Sequence, residues 1–185
     1  MKNGFTKIFW GFLFIMINFR ITGFDILPDP IGYLLFFIGF KELSSKSNYF
    51  IKGRNCSIIM VILSIFTIYQ TPPNGKGAGL IKLGVLEKFI IPISIIVLII
   101  GIYIVYNLFM GVKEMCHQQE NTLLYDEAED LWRKYIYLTI GIVFLGLLIH
   151  IPLIAILFAI VLAIASIILA VKIMKFIKKC ESVLI

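Results

Sequence analysis

Asn18, Arg20, Asp25 and Asp29 are the residues whose types and spacing invite chemistry in this chain. Two carboxylates four positions apart, preceded by an arginine and an amide, can take a cation, a proton or, through the guanidinium, an anionic headgroup. The same carboxylates could act as an acid–base or metal pair. They stand between two apolar runs, where a lipid-embedded chain turns back and where charge is costly. A structural alternative stands beside the functional one. Asp29 followed by Pro30 is a helix start, with the carboxylate as N-cap and the proline at the first helical position. Arg20 paired with Asp25 or Asp29 would then lock the turn. Pro28 and Pro30 keep the intervening backbone from becoming one continuous helix.

The elements that position these residues follow from composition. The chain has 185 residues, of which 60% are hydrophobic, and its mean hydropathy is +0.98. Soluble domains average roughly 45–50% apolar, so the bilayer must act as solvent for much of this chain. The expected class is all-α: a polytopic transmembrane bundle of about six membrane-embedded helices, forming a single integral membrane domain over residues 1–185. A short hairpin is expected over 5–43, with helices near 56–71, 89–112, 135–150 and 152–177. The run Ile136–Val171 would be about 54 Å long as one helix, so it is broken at His150-Ile151-Pro152. Five passes with a bent last helix are the alternative count. Residues 113–135 read as a charged cytoplasmic helix leading into the fifth pass, and 71–88 as an outer loop that begins with turn formers.

Six passes place both termini on one side, and charge selects the cytoplasm. Only Arg20, Lys76, Lys82 and Lys88 fall outside, against thirteen of the seventeen Lys and Arg inside. Lys2 and Lys7 ahead of Ile8–Ile17 look like the start of a signal sequence, but Asn18-Phe19-Arg20 follows without a small-residue cleavage site, so the first helix is expected to be retained. Cys56, Cys116 and Cys180 fall at inferred cytoplasmic ends and form no disulfide framework. The expected location is the plasma membrane.

Small residues mark packing faces. Gly4 and Gly11 are seven apart in the first helix, as are Gly32 and Gly39 in the second, and small residues let helix backbones approach. Ala155, Ala159, Ala163, Ser166 and Ala170 make a stripe on the last helix suited to packing within the monomer or to a homodimer seam. Tyr103, Tyr106 and Asn107 form a polar patch on the fourth helix, and His150 sits beside the last turn.

The stretches Phe9-Trp10-Gly11, Asn18-Phe19-Arg20 through Asp25-Ile26-Leu27-Pro28-Asp29-Pro30-Ile31-Gly32-Tyr33, and Lys41-Glu42-Leu43-Ser44 carry a resemblance. The first 55 or so residues resemble an uncharacterised family of small multi-pass membrane proteins of low-GC Gram-positive bacteria. An Asp-Ile-Leu-Pro-Asp-x-Ile-Gly-Tyr hairpin is its specific part. The resemblance implies a bacterial membrane location and attaches no activity.

No His-Glu-x-x-His, Gly-x-Ser-x-Gly, P-loop or Cys-x-x-Cys pattern is present, which argues against a familiar protease, ATPase or thiol oxidoreductase. Cys116-His117 lacks a second ligand pair, so no metal site and no cofactor are expected. Basic residues lie between apolar runs and not on one folded face, so nucleic acid is not an expected partner. The expected partners are the lipid bilayer and either a second copy or another membrane protein. The leading expectation is a non-enzymatic accessory, sensory or protective membrane component. A small transporter or channel using Arg20, Asp25 and Asp29 comes second, and an intramembrane enzyme is a remote third.

Overall fold

A computed structural model of the chain describes residues 2–16, 20–21, 24–25, 29–65, 90–148 and 151–184. The class is all-α. Among the described residues six helices run in order: α1 (Lys2–Met16), α2 (Asp29–Leu43), α3 (Asn48–Ile65), α4 (Ile90–Gln118), α5 (Thr122–Leu147) and α6 (Pro152–Val183). Between α1 and α2 lies a minimal antiparallel ladder, β1 (Arg20–Ile21) and β2 (Phe24–Asp25). Among the described residues two segments, Pro92–Gln118 and Pro152–Val183, are long and apolar enough to cross a membrane. By contrast α1 and α2 have 15 residues each, and α5 spends its first half on charged residues.

Local rules explain several boundaries. α6 begins at Pro152, where a proline in the first turn removes an N–H that would otherwise lack a partner. The expected single helix over 113–135 is instead divided. α4 runs on to Gln118, and the chain then closes with a left-handed Glu120 at φ 54°. The Asn121 N–H donates to the Cys116 carbonyl at 2.9 Å and the Glu120 N–H to the His117 carbonyl at 3.3 Å. These two bonds are the paired closure of a Schellman turn. Asn121 then caps α5, its Oδ1 accepting from the Leu124 N–H at 3.0 Å. The expected outer loop 71–88 lies outside the described residues.

The chain divides into two compact units, Met1–Gly111 and Val112–Ile185, where length alone implied one domain. In the first, α1 and α2 pack antiparallel with glycines meeting across the seam. A Cβ on Gly39 would stand 2.7 Å from the Gly4 carbonyl oxygen, and one on Gly11 would stand 2.9 Å from that of Gly32. The backbones therefore touch at two levels one heptad apart. A chain of phenylalanines carries the core onward: Phe12 to Phe36 (4.9 Å between ring centroids), Phe36 to Phe40 and Phe40 to Phe50 (6.0 Å each). Gly53 receives the Phe40 ring and Gly111 the Phe50 ring. Edge-to-face and offset ring pairs add ~0.5–1.5 kcal/mol each beyond burial.

In the second unit α5 and α6 form an antiparallel hairpin. Leu162 seats against Gly141, and Phe144 meets Phe158 at 6.1 Å. The small residue at this contact thus sits on α5. Of the α6 stripe, Ala170 is buried, Ala155, Ala159 and Ser166 are half-buried, and Ala163 is exposed. The buried face of α6 continues through larger side chains, Ile173, Phe176, Ile177 and Cys180.

Candidate functional site

The predicted polar group lies in the hairpin between α1 and α2. The β1–β2 register sets Arg20 directly opposite Asp25 and Ile21 opposite Phe24. The glycine-mediated approach of α1 and α2 brings the two ends of this short connection together. Asp29 opens α2, with Pro30 next, and a carboxylate in a first helical turn complements the helix dipole. Asn18 lies outside the described residues. Arg20 and Asp25 are therefore brought together as facing ladder positions, and Asp29 is placed as a helix-initiating residue.

A second polar contact joins the same two helices and was not anticipated from sequence. Lys7 on α1 donates from Nζ to Oε1 of Glu42 on α2, with both side chains about one-third exposed. The other carboxylate oxygen of Glu42 is buried without a hydrogen-bond partner. The available signal was a lysine interrupting the first apolar run and a glutamate ending the second.

On α4 the predicted Tyr103–Tyr106–Asn107 patch splits between surface and core. Tyr103 is exposed and stacks on Tyr106 at 6.1 Å, and Tyr106 meets Tyr49 of α3 edge-on at 6.2 Å. Asn107 is fully buried. Its Nδ2 donates to the Tyr103 carbonyl at 2.6 Å, and its Oδ1 has no partner. An unmatched buried acceptor costs about 1–3 kcal/mol.

The second unit carries a charged head built from the ends of three helices. Lys113 on α4 bonds Glu129 on α5 at 3.0 Å, and its ammonium lies 4.4 Å from the centre of the Tyr125 ring. Lys179 on α6 pairs with Glu127 on α5, and Lys134 pairs with Asp130 one turn away. The Gln119 amide donates to the Leu184 carbonyl at 3.3 Å, tying the end of α4 to the end of α6. The Lys113 hydrogen bond and charge, aided by Arg133, hold the Glu129 carboxyl below the usual range. Beneath these pairs Cys116, Leu124, Ala128, Phe176 and Cys180 are buried.

Other expected features are placed as follows. Cys116 is buried while neighbouring His117 is exposed, so the two potential ligands have opposite surroundings. Among the described residues no group of three His, Cys, Asp or Glu could hold a metal ion. His150 lies outside the described residues. Large apolar side chains are exposed on the outer faces: Trp10, Leu34 and Ile62 in the first unit, and Phe144, Leu153, Leu157 and Ile167 in the second.

No family model, curated protein or solved structure matches this chain.

Proposed function

We propose that this chain is a multi-pass membrane protein of the plasma membrane, without a reaction of its own, that acts as an accessory, sensory or protective component. Its working surface is the charged head formed by the end of α4, the first half of α5 and the end of α6. Both termini lie in the cytoplasm, and the short helices α1–α3 are also membrane-embedded. The exposed apolar faces support lipid burial, because soluble proteins rarely expose contiguous apolar patches of that extent. Thirteen inside cations against four outside support the orientation. The resemblance of the first 55 or so residues to small bacterial membrane proteins is consistent with both.

The observation that carries this function is the pair of inter-helix contacts Lys113–Glu129 and Lys179–Glu127. Three helices run past their apolar stretches and are tied there by charge, which presents a shaped polar surface to a partner. The test is affinity purification of the full chain from native membranes, set against a Glu127→Lys/Glu129→Lys variant. A defined membrane partner recovered with the native head and lost with the variant is the expected result. Recovery of the native protein as a free monomer would refute it.

A second function is favoured by one observation, the facing ladder positions of Arg20 and Asp25. A transporter or channel would use them with Asp29 at its mouth. Proteoliposome flux that falls on Asp25→Asn and Asp29→Asn would select it over the accessory role.

A further inference from the structure

We infer that the second unit binds anionic phospholipid through a basic collar made by Arg133, Lys172 and Lys175, with Trp132 and Tyr135 beside it; this rests on the membrane reading above.

The level of the collar follows from the hairpin register. Gly141 meets Leu162, so eight residues down each helix Arg133 stands opposite residue 170. Lys172 is then only ~3 Å further along α6, and Lys175 one turn beyond. The Lys179–Glu127 pair, lower still, keeps the two helices in the same alignment. Trp132 and Tyr135 stack at 6.1 Å at this height, and Tyr137 is 70% exposed. Above the collar the exposed surface is apolar, with Ile140, Val143 and Phe144 on α5 and Ile164, Ile167 and Ile168 on α6. Asp130 and Glu129, already paired with Lys134 and Lys113, stand within its lower half, and Asp126 and Glu127 lie below it. Aromatics with cations between an apolar zone and a charged zone mark a headgroup level.

Charge accounting selects the anion. Lys113, Lys134 and Lys179 each have a carboxylate partner. Arg133, Lys172 and Lys175 are exposed, and among the described residues no carboxylate lies within ion-pair distance of them. Arg133 acts on Glu129 only through its field. Three unpaired cations within about 8 Å along the helix axes, next to an apolar belt, complement the phosphates of an anionic leaflet, where each cation near the surface attracts lipid measurably.

The test uses the full chain in phosphatidylcholine vesicles doped with spin-labelled phosphatidylglycerol or spin-labelled phosphatidylcholine. The read-out is the motionally restricted lipid fraction. The native chain is expected to prefer phosphatidylglycerol by at least about fivefold, what a single surface cation confers. Arg133→Gln/Lys172→Gln/Lys175→Gln should abolish the preference. Arg133→Lys/Lys172→Arg/Lys175→Arg should keep it, as should Lys134→Gln, which removes the same kind of charge from a paired position. Equal association of both lipids with the native chain would overturn the proposal, as would an unaffected triple Gln variant. An equal fall in the paired-lysine control would also overturn it, assigning the effect to net charge. Loss of the preference in millimolar inorganic phosphate would point to a soluble phosphate site instead. A chain that fails to enter vesicles at all would refute the membrane reading itself.

Discussion

Gly39 and Gly4 face each other so closely that a Cβ on Gly39 would stand 2.7 Å from the Gly4 carbonyl oxygen. The same Cβ would meet the Ile8 side chain at 2.6 Å. Backbone cannot yield as a flexible side chain can, so α1 and α2 are held together by the absence of two side chains. Gly39→Ala should lower the thermal stability of the purified protein by about 1–3 kcal/mol, the usual cost of overpacking. Gly101 has open space around it, and Gly101→Ala should be neutral or slightly stabilising, since alanine favours helix by up to ~1 kcal/mol over glycine. Equal melting of the two variants would refute the close approach.

Glu120 holds a left-handed backbone at φ 54° in the turn between α4 and α5. That conformation costs an L-residue roughly 1–2 kcal/mol and glycine little. Glu120→Gly should therefore raise stability by up to ~1 kcal/mol after the added chain entropy of glycine. Glu120→Val should lower it. Thermal unfolding in detergent reads both, and the opposite order would mean that the turn is not closed as described.

Glu129 has its folded carboxyl pKa lowered, first by the Lys113 hydrogen bond and then by the Lys113 charge. Its contribution is present above the unfolded carboxylate value and is lost as pH falls through the folded one. Stability of the native head should accordingly decline on acidification across that window, and Glu129→Gln should flatten this part of the profile. Side-chain carboxyl chemical shifts followed by NMR would report the lowered titration directly. A Glu129 midpoint at or above the unfolded value would contradict the pairing.

The three cysteines differ in access. Cys116 and Cys180 are fully buried, and Cys56 is partly exposed. In detergent, maleimide should modify Cys56 first, with Cys116 and Cys180 following only on unfolding. Intact-mass spectra taken over time distinguish one fast site from three. Three equal rates would show that the packing beneath the head is wrong.

Trp132 offers a depth gauge. In a Trp10→Phe protein it is the single tryptophan. Lipids brominated near the glycerol backbone should quench it more than lipids brominated near the chain ends. The reverse order would sink the collar into hydrocarbon.

Much of the architecture was legible because it depends on one-dimensional facts. Long apolar runs without charges became α4 and α6, since hydrocarbon-length burial needs only composition and a rise per residue. Pro152 started α6 and Asp29-Pro30 started α2, because proline and a first-turn carboxylate act on their own neighbours. The heptad spacing of glycines pointed to a face, and the polar block between the first two apolar runs to a reversal of the chain.

Helical spacing over 123–135 correctly leads into α5, but the charged 113–135 stretch is broken at 119–121 and is not one helix. Charge density does not reveal that Asn121 captures the Leu124 N–H while Glu120 turns left-handed. Which partner each ion takes was equally hidden. Lys113 has Glu114 next to it and a partner in Glu129 on another helix, and Lys7 reaches Glu42 across the α1–α2 seam. Pairing of this kind depends on distances between elements, and those are set only when glycines, phenylalanine rings and the hairpin register have fixed how the helices lie. Sequence by itself therefore determined which segments are apolar, where helices begin and how the cations are distributed. Tertiary packing alone decided which backbones touch and which cations remain unpaired.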